Sequence, residues 1–413
     1  MMQSTPSVYV IATLDTKGRE ADFVRHYLQQ LGVPVTLVDA SCQGEPQAVP
    51  DIPRQTVLQA THPQPADTQP ADAPPLEDRG ASVQRMADAV KQLVLNAHRN
   101  HQLLGVLALG GSAGTTIGTA AMRCLPLGVP KIMVSTLAAG DVRAFVGTKD
   151  ITMLHSVVDI AGVNRVSRLV LEQAAAMMAG SVHRPPSAKP ANEAPVIAAT
   201  MFGVTTPCVE HARQLLEQRG FEVLVFHATG SGGQTLESLI DEGWIAGVLD
   251  ITTTELADLL FGGVLSAGPA RLTAAARHGI PQVVSVGATD MVNFWAPETI
   301  PAQFRSRKFH RHNDHVTLMR TTVDENRQLG EHLANCICSA PDTTRVLLPS
   351  NGVSALDRSG QPFDDPAARQ ALFDAIRTHA GQVPVEEVPL HINDRAFAEL
   401  AVERLLSLIH LPT

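Results

Sequence analysis

The chain has 413 residues, of which 44% are hydrophobic and 18% charged, and its formal net charge is -9 at pH 7. A chain of this length exceeds the size at which a single hydrophobic core stops growing, so we expect two or more domains. The acidic balance argues against binding of nucleic acid through a basic surface. No apolar run approaches the roughly 18 residues that a membrane-spanning helix needs. We therefore expect a protein that binds neither nucleic acid nor a membrane.

The amino terminus has no basic segment before its first apolar run, so the sequence predicts no signal peptide. The five cysteines are scattered, apart from the pair Cys336 and Cys338. This usage is typical of reduced thiols packed as small apolar groups, and it favours a cytoplasmic protein. A redox or metal-binding role for Cys336 and Cys338 is the alternative.

The first half of the chain reads as alternating strands and helices. "SVYVIATLDT" predicts a strand, "GREADFVRHYLQQLG" an amphipathic helix and "PVTLVDAS" a second strand, which together form a βαβ unit with parallel strands. The Pro-rich insert 45–77 predicts no core element, and its later part predicts a mobile excursion. A helix near Ala81 to Asn100, the strand "LLGVLALG", a glycine loop, a helix and the strand "VPKIMVST" follow, and a further helix closes this half.

The pattern then begins again after a Pro-rich linker at 183–195. "PVIAATMFGVTTPCVEHARQLLEQRGFEVLVFHATG" follows the opening βαβ unit element by element, and "IAGVLDIT" matches "LLGVLALG". Similarity over several separate strands indicates two related domains. The sequence therefore predicts two Rossmann-like α/β domains with parallel sheets, at 1–182 and 196–413, and a ligand cleft between them.

The glycine loop from Gly110 to Thr116, "GGSAGTT", lies where a predicted strand ends and a helix begins. It lacks the Lys-Ser/Thr of a Walker A loop, and its glycine spacing does not fit G-x-G-x-x-G. Two interpretations remain open. The loop holds a phosphate or a carboxylate through backbone amides and hydroxyl groups at the helix N-terminus, or it is a tight turn that packs a helix on the sheet.

Loops at the carboxyl ends of the first domain's strands supply the predicted cofactor-binding residues. Lys17 would neutralise an anion there, and Asp15 would orient a ribose hydroxyl or a magnesium-bound water; the alternative for Lys17 is an ordinary surface lysine. The full predicted set is Thr13, Asp15, Thr16, Lys17, Gly110, Gly111, Ser112, Gly114, Thr115, Thr136 and Gly140.

The segment 305–322, "RSRKFHRHNDHVTLMRTT", concentrates basic residues and histidines. It is a candidate clamp for an acidic substrate, a source of a general acid or base, or a metal site in which Asp290 or Asp314 joins two histidines. A structural or subunit-interface loop is the alternative. The catalytic candidates are His310, His312 and Asp290. The candidate substrate-binding residues are Asn293, Arg307, Arg320 and Ser354.

Several long motifs carry a family resemblance, among them "VIATLDTKGRE", "DRGASVQRMADA", "LGGSAGTTIGTAAMRCLPLGVPKIMVST", "FHRHNDHVTLMRTTVDENRQLG" and "LPSNGVSALDRSGQPFDDPAARQALF". Over nearly its whole length the chain resembles the Tm-1-like ATP-binding domain family (UPF0261), which is typified by the amino-terminal half of a tomato mosaic virus resistance protein. The resemblance implies two Rossmann-like subdomains, a homodimer or higher homo-oligomer, and binding of ATP with magnesium. It supplies no reaction.

The sequence therefore predicts a cytoplasmic ATP-binding protein whose nucleotide phosphates lie on the glycine loop. The alternative is a metabolic enzyme, a hydrolase or a transferase, acting on a small carboxylated or phosphorylated substrate. That substrate would lie in the cleft between the domains and would contact the segment 305–322.

Overall fold

A computed structural model of the chain describes residues 5–60, 78–184 and 193–409. The chain divides into two compact units, residues 1–189 and 190–413. Each unit is built on a parallel sheet with helices packed on both faces. The predicted α/β class with two Rossmann-like domains is thereby confirmed. Within the described ranges, no helix has the length and the hydropathy that a bilayer span requires.

The first unit contains a five-stranded sheet in the order β2-β1-β3-β4-β5, and all neighbouring strands are parallel. Strand β2 lies on one side of β1, and β3, β4 and β5 follow one another on its other side. The strands are β1 (Ser7–Ala12), β2 (Val35–Asp39), β3 (Leu103–Gly110), β4 (Lys131–Ser135) and β5 (Thr152–His155). The helices are α1 (Leu14–Gln30), α2 (Arg54–Gln59), α3 (Arg79–Arg99), α4 (Ser112–Arg123), α5 (Arg143–Val146) and α6 (Arg165–His183).

Strand β1 explains why both faces of this sheet are covered. Its side chains alternate, so Val8 and Val10 pack with the helices α1 and α6, whereas Tyr9 and Ile11 pack with α3 and α4. A strand that is buried on both faces reads as a continuous apolar run, as "VYVIA" does. The helices α1 and α6 therefore cover one face of the sheet, and α3 and α4 cover the other.

The earlier part of the Pro-rich insert differs from the prediction. It contains the helix α2, whose Val57 is fully buried in the core beside α3. The density of prolines hides this single apolar anchor in the sequence, and so the prediction that the insert supplies no core element was wrong for this part. The predicted mobile excursion at 61–77 lies outside the described residues.

The second unit contains a six-stranded parallel sheet in the order β14-β13-β9-β8-β6-β7, which repeats the arrangement of the first sheet and extends it by one strand. Its strands are β6 (Val196–Met201), β7 (Glu222–His227), β8 (Gly247–Thr252), β9 (Gln282–Gly287), β13 (Thr344–Pro349) and β14 (Val385–Val388). The helices are α7 (Thr206–Glu217), α8 (Ser231–Asp241), α9 (Thr254–Phe261), α10 (Ala274–His278), α11 (Val323–Ile337), α12 (Pro366–His379) and α13 (Arg395–Leu408).

A small antiparallel sheet, which the sequence did not predict, lies between β9 and α11 in the chain. Its order is β10-β12-β11, with β10 (Met291–Phe294), β11 (Phe309–Arg311) and β12 (Thr317–Arg320). The basic segment 305–322 forms β11 and β12, so it is largely a hairpin. Charged and polar residues around β11 and the turn after it concealed the fully buried strand β12 in the sequence.

Candidate functional site

A cavity of about 460 Å³ in the first unit lies at the carboxyl ends of β1, β2 and β3. The strand order reverses between β1 and β3, and ligands of open α/β sheets bind outside this reversal point. Its lining comes from the residues after each strand and from the first turn of α3. The lining residues are Thr13, Asp15, Thr16, Lys17, Cys42, Gln43, Arg79, Ser82, Val83, Gly111, Ser112, Ala113 and Gly114.

The segment after β1, where the sequence predicted a strand-end loop, turns directly into a helix. Helix α1 begins at Leu14 and departs from helical geometry at Lys17, whose φ is -125° and ψ is 15°. The backbone N–H of Asp15 donates to the Ser41 hydroxyl at 3.0 Å. The irregular turn therefore brings the carboxylate of Asp15 and the ammonium stem of Lys17 to the cavity.

The three glycines of the glycine loop have different roles. A Cβ on Gly110 would lie 2.8 Å from the Cα of Gly114, so these two glycines allow α4 to pack closely on β3. A Cβ on Gly111 would meet only the Thr136 hydroxyl, at 3.7 Å. Both interpretations of the loop are thus represented: Gly110 and Gly114 serve packing, while Gly111 presents open backbone to the cavity.

Positive charge and helix N-termini converge on this cavity. Lys17 and Arg79 line it, and the helices α1, α3 and α4 all begin at its wall. Burial and the Asp15 carboxylate raise the pKa of the Cys42 thiol, whereas Arg54, Arg79 and Arg85 act in the opposite direction. The first turns of helices leave backbone N–H groups without intrahelical partners. Such amides, together with cationic side chains, attract an anion.

Seven of the eleven predicted cofactor-binding residues line the cavity. Four do not, and their contacts are local. The Thr115 hydroxyl is buried 2.7 Å from the Ser135 hydroxyl, and the Thr136 backbone N–H faces the Gly110 carbonyl at 3.4 Å. Gly140 lies in an exposed turn.

Sequence reasoning missed the wall supplied by β2 and α3, namely Cys42, Gln43, Arg79, Ser82 and Val83. A signal for it was present. Consecutive strands of a βαβ unit are commonly neighbours, as β1 and β2 are here, so the residues that follow β2 reach the same edge of the sheet. Arg79 and Ser82 lie in the quoted "DRGASVQ" motif, at the start of a predicted helix.

The corresponding position in the second unit is filled by the chain's own side chains. Arg271 is fully buried, and its guanidinium contacts Asp250 at 2.5 and 2.6 Å, Glu255 at 2.7 Å and Glu237 at 3.5 Å. Glu255 follows β8 as Ala113 follows β3 when "GVLDITTTE" is aligned with "GVLALGGSA".

Glu255 also caps a helix. Its Oε1 accepts from the backbone N–H groups of Gly230 and Gly233, at 2.7 and 3.1 Å, where α8 begins. Helix α8 follows β7 as α3 follows β2, so the second unit places an internal carboxylate where the first has an open cavity.

Four of the seven predicted catalytic and substrate-binding residues, namely Asp290, Asn293, Arg320 and Ser354, lie in two buried groups. The Ser354 hydroxyl donates to Asp290 Oδ2 at 2.8 Å, and Arg320 donates to the Phe363 carbonyl at 2.8 Å and to the Asp290 carbonyl at 3.4 Å. Asn293 Nδ2 donates to Asp258 at 3.0 Å. Burial raises the pKa of Asp258 to about 7.

The predicted basic residues of the hairpin have structural partners or lie exposed. Arg307 binds Glu325 through two bonds, at 2.8 and 2.5 Å. His310 packs edge-on against Phe363, and His312 is exposed. Across the described ranges, no three His, Cys, Asp or Glu side chains are placed to hold a metal ion. The alternative of a metal site at His310 and His312 with Asp290 or Asp314 is therefore not formed there.

Asp290 is expected to make stability depend on pH. Burial and the nearby Asp357 raise its pKa to about 7, against the influence of Arg320. The unfolded chain releases this proton near pH 4 and the folded chain near pH 7, so the contribution to stability is complete below pH 4 and is lost as pH rises through 7. As pH rises from 4.5 to 8, the free energy of unfolding of Asp290→Asn should increase relative to that of wild type by about 3 kcal/mol, measured by urea denaturation.

Asp374→Asn, at an exposed carboxylate on α12, is the matched control for this change. An equal pH response of Asp290→Asn and wild type would show that Asp290 is ionised throughout this range.

Comparison with known proteins assigns the chain to a protein family over nearly its whole length. Residues 6–187 match the model described as the "Uncharacterised protein family (UPF0261) N-terminal domain", and residues 194–409 match the corresponding C-terminal domain. The chain belongs to the UPF0261 family. A UPF0261 protein of Clostridium tetani is 42% identical, with 97% of this chain and 98% of that protein covered. The "ToMV resistance protein Tm-1(GCR237)" of Solanum lycopersicum is 40% identical, with 98% of this chain and 56% of that protein covered.

Solved structures resemble this UPF0261 chain only distantly. A Streptomyces glycosyltransferase complexed with thymidine diphosphate is 12% identical, with a TM-score of 0.17 and coverage of 96% and 99% of the two chains. A putative UDP-N-acetylglucosamine 2-epimerase from Listeria monocytogenes is 11% identical, with a TM-score of 0.21 and coverage of 98% and 95%. Scores this low carry no argument about the site.

Proposed function

We propose that this UPF0261 chain binds ATP, together with Mg²⁺, in the cavity at the carboxyl ends of β1, β2 and β3. The observation that carries the proposal is the convergence of Lys17, Arg79 and three helix N-termini on one cavity at the reversal point of the sheet. The family resemblance directs the choice of ATP among phosphate-bearing ligands.

The phosphates would lie against Gly111, Ser112 and the first turn of α4. Backbone approach is open there, since a Cβ on Gly111 would have no protein atom closer than 3.7 Å. Lys17 and Arg79 would compensate the phosphate charge. Glu255 supports this reading from within the same chain, because its carboxylate binds the first amides of α8 in the second unit.

The donor set also suits a magnesium ion carried by the nucleotide. Asp15 is the carboxylate that lines the cavity, and the described residues form no three-carboxylate cage. Mg²⁺ typically keeps several waters and is held by one or two carboxylates and the substrate phosphates. When bound, the ion would supply charge neutralisation between phosphate groups, and Asp15 would hold one of its waters.

Lys17→Ala is expected to weaken ATP binding by about 10- to 100-fold, since it removes one charge-assisted bond to a phosphate. Isothermal titration calorimetry with Mg-ATP measures the effect. Lys91→Ala, which changes an exposed lysine of α3 that does not line the cavity, is the matched control. The proposal fails if wild type shows no ATP binding, or if both variants bind as wild type does.

We also propose that the protein forms a homodimer and is located in the cytoplasm, as the sequence and the family resemblance predict. Sedimentation equilibrium of the full chain, with and without Mg-ATP, measures the oligomeric state directly.

A further inference from the structure

The second unit contains a separate cavity of about 350 Å³, beyond the carboxyl end of β13. Three segments form it: the loop after β13, the start of α12 and the turn between β14 and α13. The quoted motif "LPSNGVSALDRSGQPFDDPAARQALF" and the later segment "HINDRAFAE" supply all of its lining. The lining residues are Ser350, Asn351, Arg358, Ser359, Asp364, Pro366, Arg369, His391 and Asp394.

The loop after β13, which supplies several of the lining residues, is held by hydrogen bonds. The Ser354 hydroxyl accepts from the backbone N–H groups of Leu356 and Asp357, at 3.0 and 3.1 Å, and donates to Asp290. Gly352 has a φ of +132°, and any Cβ there would collide with the Asp357 carbonyl. These hydrogen bonds and the glycine at position 352 therefore stabilise the loop in this conformation.

Arg369 is a positioned donor at the wall of this cavity. Its side chain is only 10% exposed, and its Nη1 donates to the buried carboxylate of Asp357 at 2.8 Å. Its Nε and Nη2 form no hydrogen bond to another side chain or carbonyl among the described residues. A guanidinium anchored at one nitrogen presents its remaining donors in a fixed plane, which suits an oxyanion.

Arg358 adds a second cationic group from the same loop. Its Nη2 lies 3.7 Å from Asp394 Oδ1, which is too far for a hydrogen bond. His391 adds no charge at neutral pH. Its Nε2 donates to the Ser354 carbonyl, its Nδ1 accepts from the Asn393 backbone N–H, and burial lowers its pKa. The positive charge at this cavity therefore comes from the two arginines.

Hydrogen-bond acceptors also line the cavity, near the two arginines. Asn351 donates its amide N–H to the Pro389 carbonyl, which leaves its Oδ1 as an acceptor, and Asp364 and Asp394 also line the cavity. Two carboxylates would repel a bare phosphate, while a neutral polyol would offer the free donors of Arg369 and the loosely paired Arg358 only uncharged acceptors, which make weaker bonds than an oxyanion does. A ligand that carries both an anionic group and several hydroxyl groups satisfies both sets.

We propose that this cavity binds a small polyhydroxylated anion, a sugar acid or a sugar phosphate. Arg369 and Arg358 contact its carboxylate or phosphate, and Asp364, Asp394 and Asn351 accept hydrogen bonds from its hydroxyl groups. The cavity volume lies at the lower end of the range for small-molecule sites, which suits ligands of three to six carbons.

The test is calorimetric titration of the full chain with D-glycerate, D-gluconate, glycerol 3-phosphate and D-glucose 6-phosphate. Glycerol and D-glucose lack the anionic group, and inorganic phosphate lacks the hydroxyl groups. At least one polyhydroxylated anion is expected to bind about tenfold or more tightly than all three of these references. Preference among the four identifies the anionic group as carboxylate or phosphate.

Arg358→Gln then locates the binding. Arg358 is exposed and pairs only loosely, so the variant should fold as wild type does, and it should weaken binding of the preferred anion by about tenfold. Arg377→Gln, on the same unit but paired with Asp374 and Glu387 away from the cavity, should bind as wild type does. The proposal is overturned if no polyhydroxylated anion exceeds the references, or if Arg358→Gln binds with unchanged affinity.

Discussion

Replacement of Arg271 by methionine is expected to lower the free energy of unfolding by about 3–5 kcal/mol. Methionine has a similar volume, so little packing is lost, but Asp250, Glu255 and Glu237 remain buried without their cationic partner. Uncompensated buried carboxylates are costly because the protein interior screens charge poorly. Urea denaturation followed by circular dichroism measures the loss, which should shrink at acidic pH as the carboxylates take up protons.

Arg277→Met is the matched control for this prediction. Arg277 pairs with Asp241 on the exposed surface of the same unit, where an ion pair contributes about 0–1 kcal/mol. Equal stability losses in the two variants would contradict the role assigned to the buried cluster.

Gly111→Val is expected to abolish measurable ATP binding, a loss of more than about 100-fold, while leaving the melting temperature close to that of wild type. The valine side chain would occupy space that the cavity offers to a phosphate, and its Cβ would meet only the Thr136 hydroxyl. Titration of each variant with Mg-ATP measures affinity, and differential scanning calorimetry measures stability.

Two further variants complete this test. Gly110→Val should destabilise the first unit, because its Cβ would press on the Cα of Gly114. His310→Ala should retain wild-type affinity, because His310 belongs to the second unit and packs on Phe363. Wild type should bind one ATP per chain, since Glu255 and Arg271 fill the corresponding position of the second unit. Unchanged binding in Gly111→Val would contradict the proposed phosphate position.

Much of the fold could be predicted because strands buried on both faces leave an unmistakable apolar run. "YVIA", "GVLAL" and "GVLDIT" all became central strands, and the repeated order of elements indicated two related sheets. The hairpin of β11 and β12 could not be predicted in this way. Most of the charged residues of the segment precede β11 or lie in it, and only the short strand β12 is fully buried.

The candidate site was partly predictable for a similar reason. Residues that follow parallel strands meet at one edge, so Lys17 and Gly111 could be grouped although they are far apart in the sequence. Residues such as Asp290 and Ser354 have the composition of catalytic groups, yet their side chains bond to each other within the core. Composition near a strand end does not distinguish an open cavity from a filled one.

The sequence by itself determined two parallel sheets and the edge of each sheet at which the polar strand-end loops gather, because apolar periodicity and chain order depend on local patterns. Only the tertiary structure decided which of the two equivalent edges stays open. Ala113 in the first unit leaves space before α3, whereas Glu255 in the second reaches across to α8 and meets Arg271. That outcome depends on side chains that are distant in the sequence and come together only when each sheet has folded.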